Sequence, residues 1–445
     1  MADLRSWTPE GLPGPGAGGG PARPATRRRR RQARGGHRRP GIALVLTASL
    51  ALAATVPAAA QNAGLDPARS PGAQVGAGPA AALAEPRAGD DAREPSFSGL
   101  SLLHDNDGLP NLGNTYRDDN YSAGMALRVS GRAIHDWRLT APLQGLDWLT
   151  RVSRRHQAAA LTAHGLVVVG AAYTPNDLTS TAPQRDDRPF ASLLGVTVRR
   201  QSVTADLDRA WTSELTVGAL GLGAARAVQT LLHRTRRWMT GNPVPPDPIG
   251  WPNQIASGGE PTALYRVAYD RRLAGARPGP GSRRWQITGG VEGSVGFQTN
   301  LAATVAARAG VFTSEFWEFA TGTLSPGLGR QRRDAVGRRW ELFVFGAARP
   351  RVVAYNALLQ GQFRDSVHTV RPRHLVGEWE GGIAVGAPLW GYQAQVVVGL
   401  AQGRTTEWVG ARATPSTWGT VSVVLSRPGP RPQSRRGPPE LPVGN

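Results

Sequence analysis

The sequence predicts an all-β protein: a twelve-stranded antiparallel transmembrane β-barrel with one helix in an outer loop. Three observations carry this. From Phe97 onward no apolar run reaches the roughly twenty residues of a membrane helix. The same region repeats segments of about ten residues in which apolar and polar or small residues alternate. The chain also holds 13 Trp, many of them near the ends of those segments. A barrel with a lipid-facing exterior, aromatic girdles and a polar lumen accounts for all three. Its closure also leaves no unpaired strand edge in hydrocarbon.

Residues 1–60 read as a signal peptide with an extended basic n-region. Arg27 to Arg31 form a basic run, Ile42 to Val56 an apolar stretch too short to span a bilayer, and Pro57-Ala58-Ala59-Ala60 a small-residue cleavage site. Residues 61–95 are Ala, Gly and Pro with scattered charge and bury too little to fold, so they read as a disordered linker. Residues 96–426 hold the barrel and 427–445 a Pro/Arg-rich tail.

Strands are expected at 97–104, 122–131, 164–173, 191–202, 211–220, 262–274, 283–297, 301–312, 339–356, 374–386, 392–404 and 417–426. Trp285, Ile287, Val291, Val295 and Phe297 share one face, with Gln286, Thr288, Glu292 and Ser294 on the other. Tyr392, Ala394, Val396, Val398 and Leu400 oppose Gln393 and Gln395, and Trp211, Leu215 and Val217 oppose Thr212, Glu214 and Thr216. An even count brings both termini to the periplasmic side. The connections 105–121, 174–190 and 221–261 then emerge at the outer face, the third with a helix over 224–239. The long basic stretch 132–157 falls on the periplasmic side.

The net charge of +20 resembles that of a nucleic-acid binder until it is mapped. Residues 1–40 carry +8 and the tail from Arg427 +3, leaving +9 for everything between. No nucleic-acid partner is expected. Every basic residue counted is Arg, and the absence of Cys excludes disulfides, Cys-ligated zinc and thiol nucleophiles.

Polar chemistry gathers on the outer rim. His104-Asp105-Asn106-Asp107-Gly108 ends the first strand, and Arg117-Asp118-Asp119-Asn120-Tyr121-Ser122-Ala123-Gly124 opens the second. Clustered carboxylates and amides suit a hard cation such as calcium, with Asp107 the leading ligand. An ordinary Asx-rich turn has the same composition. In the helix, Gln229 and His233 are four residues apart and share a face. A histidine is the natural general base near neutral pH, although a lone helical His also serves structure.

Taken together, these segments resemble the outer-membrane lipid A 3′-O-deacylase family. Its Asn-Asp and Tyr-Thr-(small)-Gly read here Asn106-Asp107 and Tyr121-Ser122-Ala123-Gly124. Its next outer loop matches Tyr173-Thr174-Pro175 and Asp187-Arg188-Pro189-Phe190-Ala191. Its helix matches Val228-Gln229 and His233, followed by Gly250-Trp251-Pro252-Asn253-Gln254, and Asn356 to Gly361 is also similar.

The resemblance implies a twelve-stranded barrel in the outer membrane of a Gram-negative bacterium, inserted by the barrel assembly machinery. It implies hydrolysis of an ester-linked acyl chain of lipid A, the lipopolysaccharide anchor, with Ca2+ as cofactor. His233 would be the general base, Asp107 the metal ligand, and Asn106, Ser122 and Gln229 further catalytic residues. Tyr173, Arg188 and Arg234 are the candidate substrate-binding residues. The family's acidic residue after the histidine is missing here, so Asp247 or Glu260 is the candidate partner of His233. The last strand also lacks the usual terminal aromatic, ending Val423-Val424-Leu425-Ser426. Two other readings of the same rim are a catalytically silent structural or binding barrel and an outer-membrane phospholipase.

Overall fold

The computed structural model describes residues 94–107, 120–240, 247–277, 284–318, 340–364 and 370–427. The expected signal peptide, all but the last two residues of the expected linker and most of the tail lie outside them. The barrel strands are β1 (Gly99–Asn106), β2 (Asn120–Ser130), β3 (Leu161–Thr174), β4 (Ala191–Val203), β5 (Arg209–Leu220), β6 (Glu260–Gly275), β7 (Arg284–Gly296), β8 (Gln298–Val311) and β9 (Glu341–Asn356). After the two-residue β10 (Arg371–Pro372) follow β11 (Leu375–Leu389), β12 (Tyr392–Arg404), the two-residue β13 (Trp408–Val409) and β14 (Ser416–Ser426). Each long strand pairs antiparallel with its chain neighbour, and β1 pairs with β14, so twelve strands close the barrel. β10 and β13 form a separate two-stranded sheet.

Among the described residues four α-helices decorate it: α1 (Thr140–Leu149), α2 (Val152–Gln157), α3 (Ala224–Thr240) and α4 (Ala357–Gln360). Among the described residues no helix is long and apolar enough to cross a membrane. The alternating pattern placed every barrel strand to within about three residues, because a strand has one lipid face and one lumen face and the period of two is imposed on both. One residue departs from it. Phe297 was expected beside Val295 on the outer face, but β7 ends at Gly296 and Phe297 turns inward to pack with Tyr121, Tyr173 and Leu358.

Register assigns the faces. Glu214, Arg199, Arg266 and Glu292 meet one another across β4 to β7, so they point into the lumen. Their strand neighbours Val217, Val291 and Val295 are exposed on the outside. Inside, acid and base alternate in one connected series. Arg266 bridges Glu214 and Glu292, Arg351 bridges Glu292 and Glu378, Arg404 bridges Glu378 and Glu407, and Glu407 ends on Arg188. Much of the positive charge of the barrel segment is therefore spent in the lumen, where each guanidinium of this series has a carboxylate neighbour.

Both termini of the barrel lie at one end. At the opposite end, here the rim, an apolar cluster of Tyr121, Tyr173, Leu193, Leu220, Ile255, Phe297, Leu358 and Trp418 closes the lumen. The rim end of the lumen is thus packed with side chains.

Candidate active site

The register of β1 to β3 puts Asp105, Tyr121 and Tyr173 on the lumen face and Asn106, Ala172 and Thr174 on the outer face. Between Tyr121 and Ala123 the pairing slips, and Ser122 is the extra residue of this bulge. The bulge re-aims Ser122 outward: its hydroxyl lies 2.6 Å from Thr174 Oγ1. Asn106 Nδ2 donates to the Ser122 carbonyl at 2.8 Å, so the end of β1 and the start of β2 are locked together on that face. On the inner face Tyr121 Oη donates to Asp105 at 3.0 Å, and Thr420 donates to the same carboxylate.

Side chains of the rim loops join helix α3 to this outer face. Alanines, leucines and arginines favour the helix, and its Ala225, Gln229 and His233 recur every fourth residue on the side turned to the protein. Ala225 packs against a cluster of Leu178, Phe190 and Trp251 from the rim loops, and Ala172 of the wall packs against the same cluster. Trp251 Nε1 donates to Gln229 Oε1 at 2.7 Å, and His233, one turn on, is 1% exposed. Gln254 accepts from Ser192 at 2.7 Å and fixes the same loop to β4. The Gly-Trp motif has a steric reason: a Cβ on Gly250 would lie 2.4 Å from the Phe190 ring and 2.6 Å from the Ser180 carbonyl. Only glycine lets the loop bring Trp251 under the helix.

The site is therefore a seam in which rim-loop side chains join the outer surface of the wall to the buried face of α3. Asn106 and Ser122 belong to the wall, and Gln229 and His233 to the buried face of the helix. Asp107 follows β1 at the same rim and is 4% exposed.

Four residues expected at the site stand elsewhere. Tyr173 is on the lumen side, and Arg188 is fully buried with its guanidinium over the Tyr173 ring and its Nη1 2.5 Å from Glu407. Both are interior side chains, and neither is an exposed contact for a lipid headgroup. Asp247 lies 4.0 Å from Arg234 and 3.8 Å from Arg237, on the solvent side of the helix. Glu260 pairs in register with the inward Leu220, and its Oε1 accepts the Phe363 backbone N–H, so it faces away from the seam. Arg234 is an exposed residue of α3 and is the one substrate-binding candidate left at the outer surface.

The calcium expected at this rim can be set against the oxygen donors present there. Asn120, which opens β2 at the same rim, is fully buried, its Nδ2 donates to Thr414 Oγ1 at 2.9 Å, and its Oδ1 has no hydrogen-bond donor. A buried amide oxygen without a donor fits a hard cation, which accepts carboxylate, amide and backbone oxygens. No cluster of three or more His, Cys, Asp or Glu side chains suited to a metal occurs among the described residues. Backbone carbonyls would have to complete a coordination shell.

The sequence profile of the outer membrane protein LpxR family matches residues 46–426. The chain belongs to the LpxR family of outer-membrane proteins. Among solved structures it is similar to LpxR from Salmonella typhimurium, at 17% identity and a TM-score of 0.54, over 74% of this chain and 99% of that one. It is more distantly similar to the beta domain of the Bordetella autotransporter BrkA, at 11% identity and a TM-score of 0.34, over 74% of this chain and 99% of that one. The chain has no match among curated proteins. As an LpxR family member it is an outer-membrane barrel of a Gram-negative bacterium. Its terminal end is then periplasmic and its rim faces outward.

Sequence reasoning missed Thr174 and Trp251 as parts of the seam. Both sat within recognised motifs. What it lacked was the side of the wall on which each points, and a one-residue bulge decides that.

Proposed function

We propose that the protein is a lipid A deacylase, hydrolysing an ester-linked 3′ acyl chain in the outer leaflet. The observation that carries this reading is the position of the seam. His233 is buried on the face of α3 that packs with the rim loops, and these loops in turn pack on the lipid-facing side of the wall, where acyl chains would reach the barrel and a pore ligand would not.

In this reading an imidazole nitrogen of His233 takes a proton from water as the water oxygen attacks the ester carbonyl carbon. The C–O bond to the sugar breaks, and the same proton goes to the leaving sugar oxygen. Gln229, held by Trp251, keeps its amide beside His233 and positions the water. Asn106 and Ser122 fix the wall side of the seam against which the ester lies. Asp107 and Asn120 would hold the Ca2+ ion, which when bound supplies positive charge to the carbonyl oxygen. Lipopolysaccharide is the substrate partner, and exposed Arg234 is the residue best placed to meet its phosphate. Delivery to the membrane would use the barrel assembly machinery.

The test is to express the full chain and His233→Ala in a Gram-negative host and compare lipid A masses, with and without calcium chelation. Loss of one acyl or acyloxyacyl group in wild type, absent in the variant and on chelation, is the expected result. Unaltered lipid A with new lysophospholipid would instead assign the same seam to a phospholipase. No lipid change at all would make the barrel catalytically silent.

A further inference from the structure

The long connection between β2 and β3 is rich in Arg and Trp, and it holds α1 and α2. Register shows which side of the wall it occupies. Thr197 and Thr216 bond to each other inside the lumen, so Val198 and Leu215 point outward. Leu143 of α1 is fully buried against those two outward residues, with Leu146, Leu166 and Tyr265 around them. The hairpin therefore lies on the outside of the barrel, over the periplasmic half of β3 to β6.

It is fastened there by a buried polar knot. Asp147 accepts from Ser213 at 2.8 Å and from Tyr265 at 3.0 Å. His156 lies 2.7 Å from Ser202 and 3.0 Å from Ser213. All of these wall residues are on strands, so the hairpin is held to the barrel at several points.

Its other side is uncovered and mostly apolar, with Gln144 the one exposed polar residue within α1. Trp148 is 65% exposed and Leu149 69%, beside exposed Ala141, Pro142 and Gly145, and Trp137 precedes the helix. Exposed Arg151, Arg154 and Arg155 follow at once, and the Arg155 guanidinium sits 5.5 Å from the Trp211 ring centroid. Around the rest of the barrel the periplasmic strand ends carry exposed Trp285, Trp340 and Trp390. The hairpin thus continues an aromatic girdle across the one sector where it covers the wall.

We propose that the α1–α2 hairpin is a membrane-interface element embedded in the periplasmic leaflet. Trp148 and Leu149 contact acyl chains, and Arg151, Arg154 and Arg155 bind the phosphates of anionic phospholipid. Continuity with the lipid-facing wall selects lipid as the occupant. The order of charge agrees: an apolar face flanked by guanidinium groups matches the sequence of acyl chain and phosphate met on leaving a leaflet. This would be a phospholipid contact on the opposite side of the membrane from the catalytic seam, and it stands independently of the deacylase reading.

The chain has no Cys, so W148C and L149C each give one labelling position in the full-length protein. Nitroxide-labelled variants, checked for the heat-modifiable mobility of a folded barrel, would be reconstituted in phosphatidylethanolamine–phosphatidylglycerol vesicles. Collision with oxygen should exceed collision with an aqueous nickel chelate at 148 and 149, and the reverse should hold for D206C in the β4–β5 turn. If W148C does not fold, L149C reads the same face. Chelate access at 148 and 149 equal to that at 206 would overturn the proposal, and so would protection from both reagents, which would mean a protein cover. R154E/R155E should lose phosphatidylglycerol that co-purifies with wild type, counted by native mass spectrometry. An unchanged count would overturn the phosphate contacts.

Discussion

Arg188 Nη1 stands 2.5 Å from Glu407 Oε2, with the guanidinium 4.0 Å from the Tyr173 ring centroid. A motif residue that reads as a phosphate ligand is thereby an internal tie between the second outer loop and the segment after β12. Removing one partner of a buried ion pair leaves the other charge without compensation and costs about 3–5 kcal/mol. Arg188→Ala should therefore lower the urea midpoint of barrel unfolding in detergent. The KM for lipid in the fraction that remains folded should stay near the wild-type value. A raised KM with an unchanged urea midpoint would return Arg188 to the substrate.

The same pair sets an acid limit. Burial opposes ionisation of Glu407, but Arg404 and Arg188 hold its carboxyl down at about 2, against an ordinary 4.5. A group with a depressed folded value contributes stability that is fully present above its unfolded value. That contribution is lost as pH falls through the folded one, here between about 4.5 and 2. Each pH unit in that window should remove up to about 1.4 kcal/mol. Glu407→Gln should flatten the slope while lowering stability at neutral pH, which tryptophan fluorescence in urea at a series of pH values would measure.

Gly124 closes the Tyr-Ser-Ala-Gly motif because a Cβ there would lie 1.9 Å from Tyr121 Oη. Gly124→Ala must push the Tyr121 hydroxyl off Asp105, costing roughly 1–3 kcal/mol of overpacking on top of a lost buried hydrogen bond. Since the ring carbon Cζ is farther away, at 3.1 Å, Tyr121→Phe should relieve most of the clash. The double variant should be more stable than the sum of the two single effects, a coupling that thermal melts of all four proteins would show.

The barrel was legible in the sequence because a lipid face and a lumen face impose a period of two over more than ten residues, and no soluble loop sustains that. The seam was legible only as a set of motifs. Tyr173 and Thr174 are adjacent in sequence, yet one closes the lumen and the other meets Ser122 on the outer wall, and the bulge at Ser122 that separates their roles leaves no compositional trace. Glu260 and Asp247 looked equally able to serve His233. Only the register of β6 and the reach of Arg234 and Arg237 tell where those carboxylates are held.

That leaves Gln229 as the group whose support can be tested beside His233. Its Oε1 is held by the indole N–H of Trp251, and that tryptophan is 1% exposed beneath the helix. Trp251→Phe keeps an aromatic ring beside Phe190 and removes one donor, a net loss of about 0.5–1.5 kcal/mol. If Gln229 orders the water that His233 deprotonates, that loss should be expressed in turnover, lowering kcat about three- to tenfold. Calcium dependence and KM should stay near wild type, because Trp251 holds Gln229 on the buried face of α3 and not Asp107 or the exposed Arg234. Gln229→Ala should lower kcat at least as far, and adding Trp251→Phe to it should cost little more, since the hydrogen bond is already gone. Fully additive losses in the double variant would mean that Trp251 acts by packing alone and that Gln229 does its work without it.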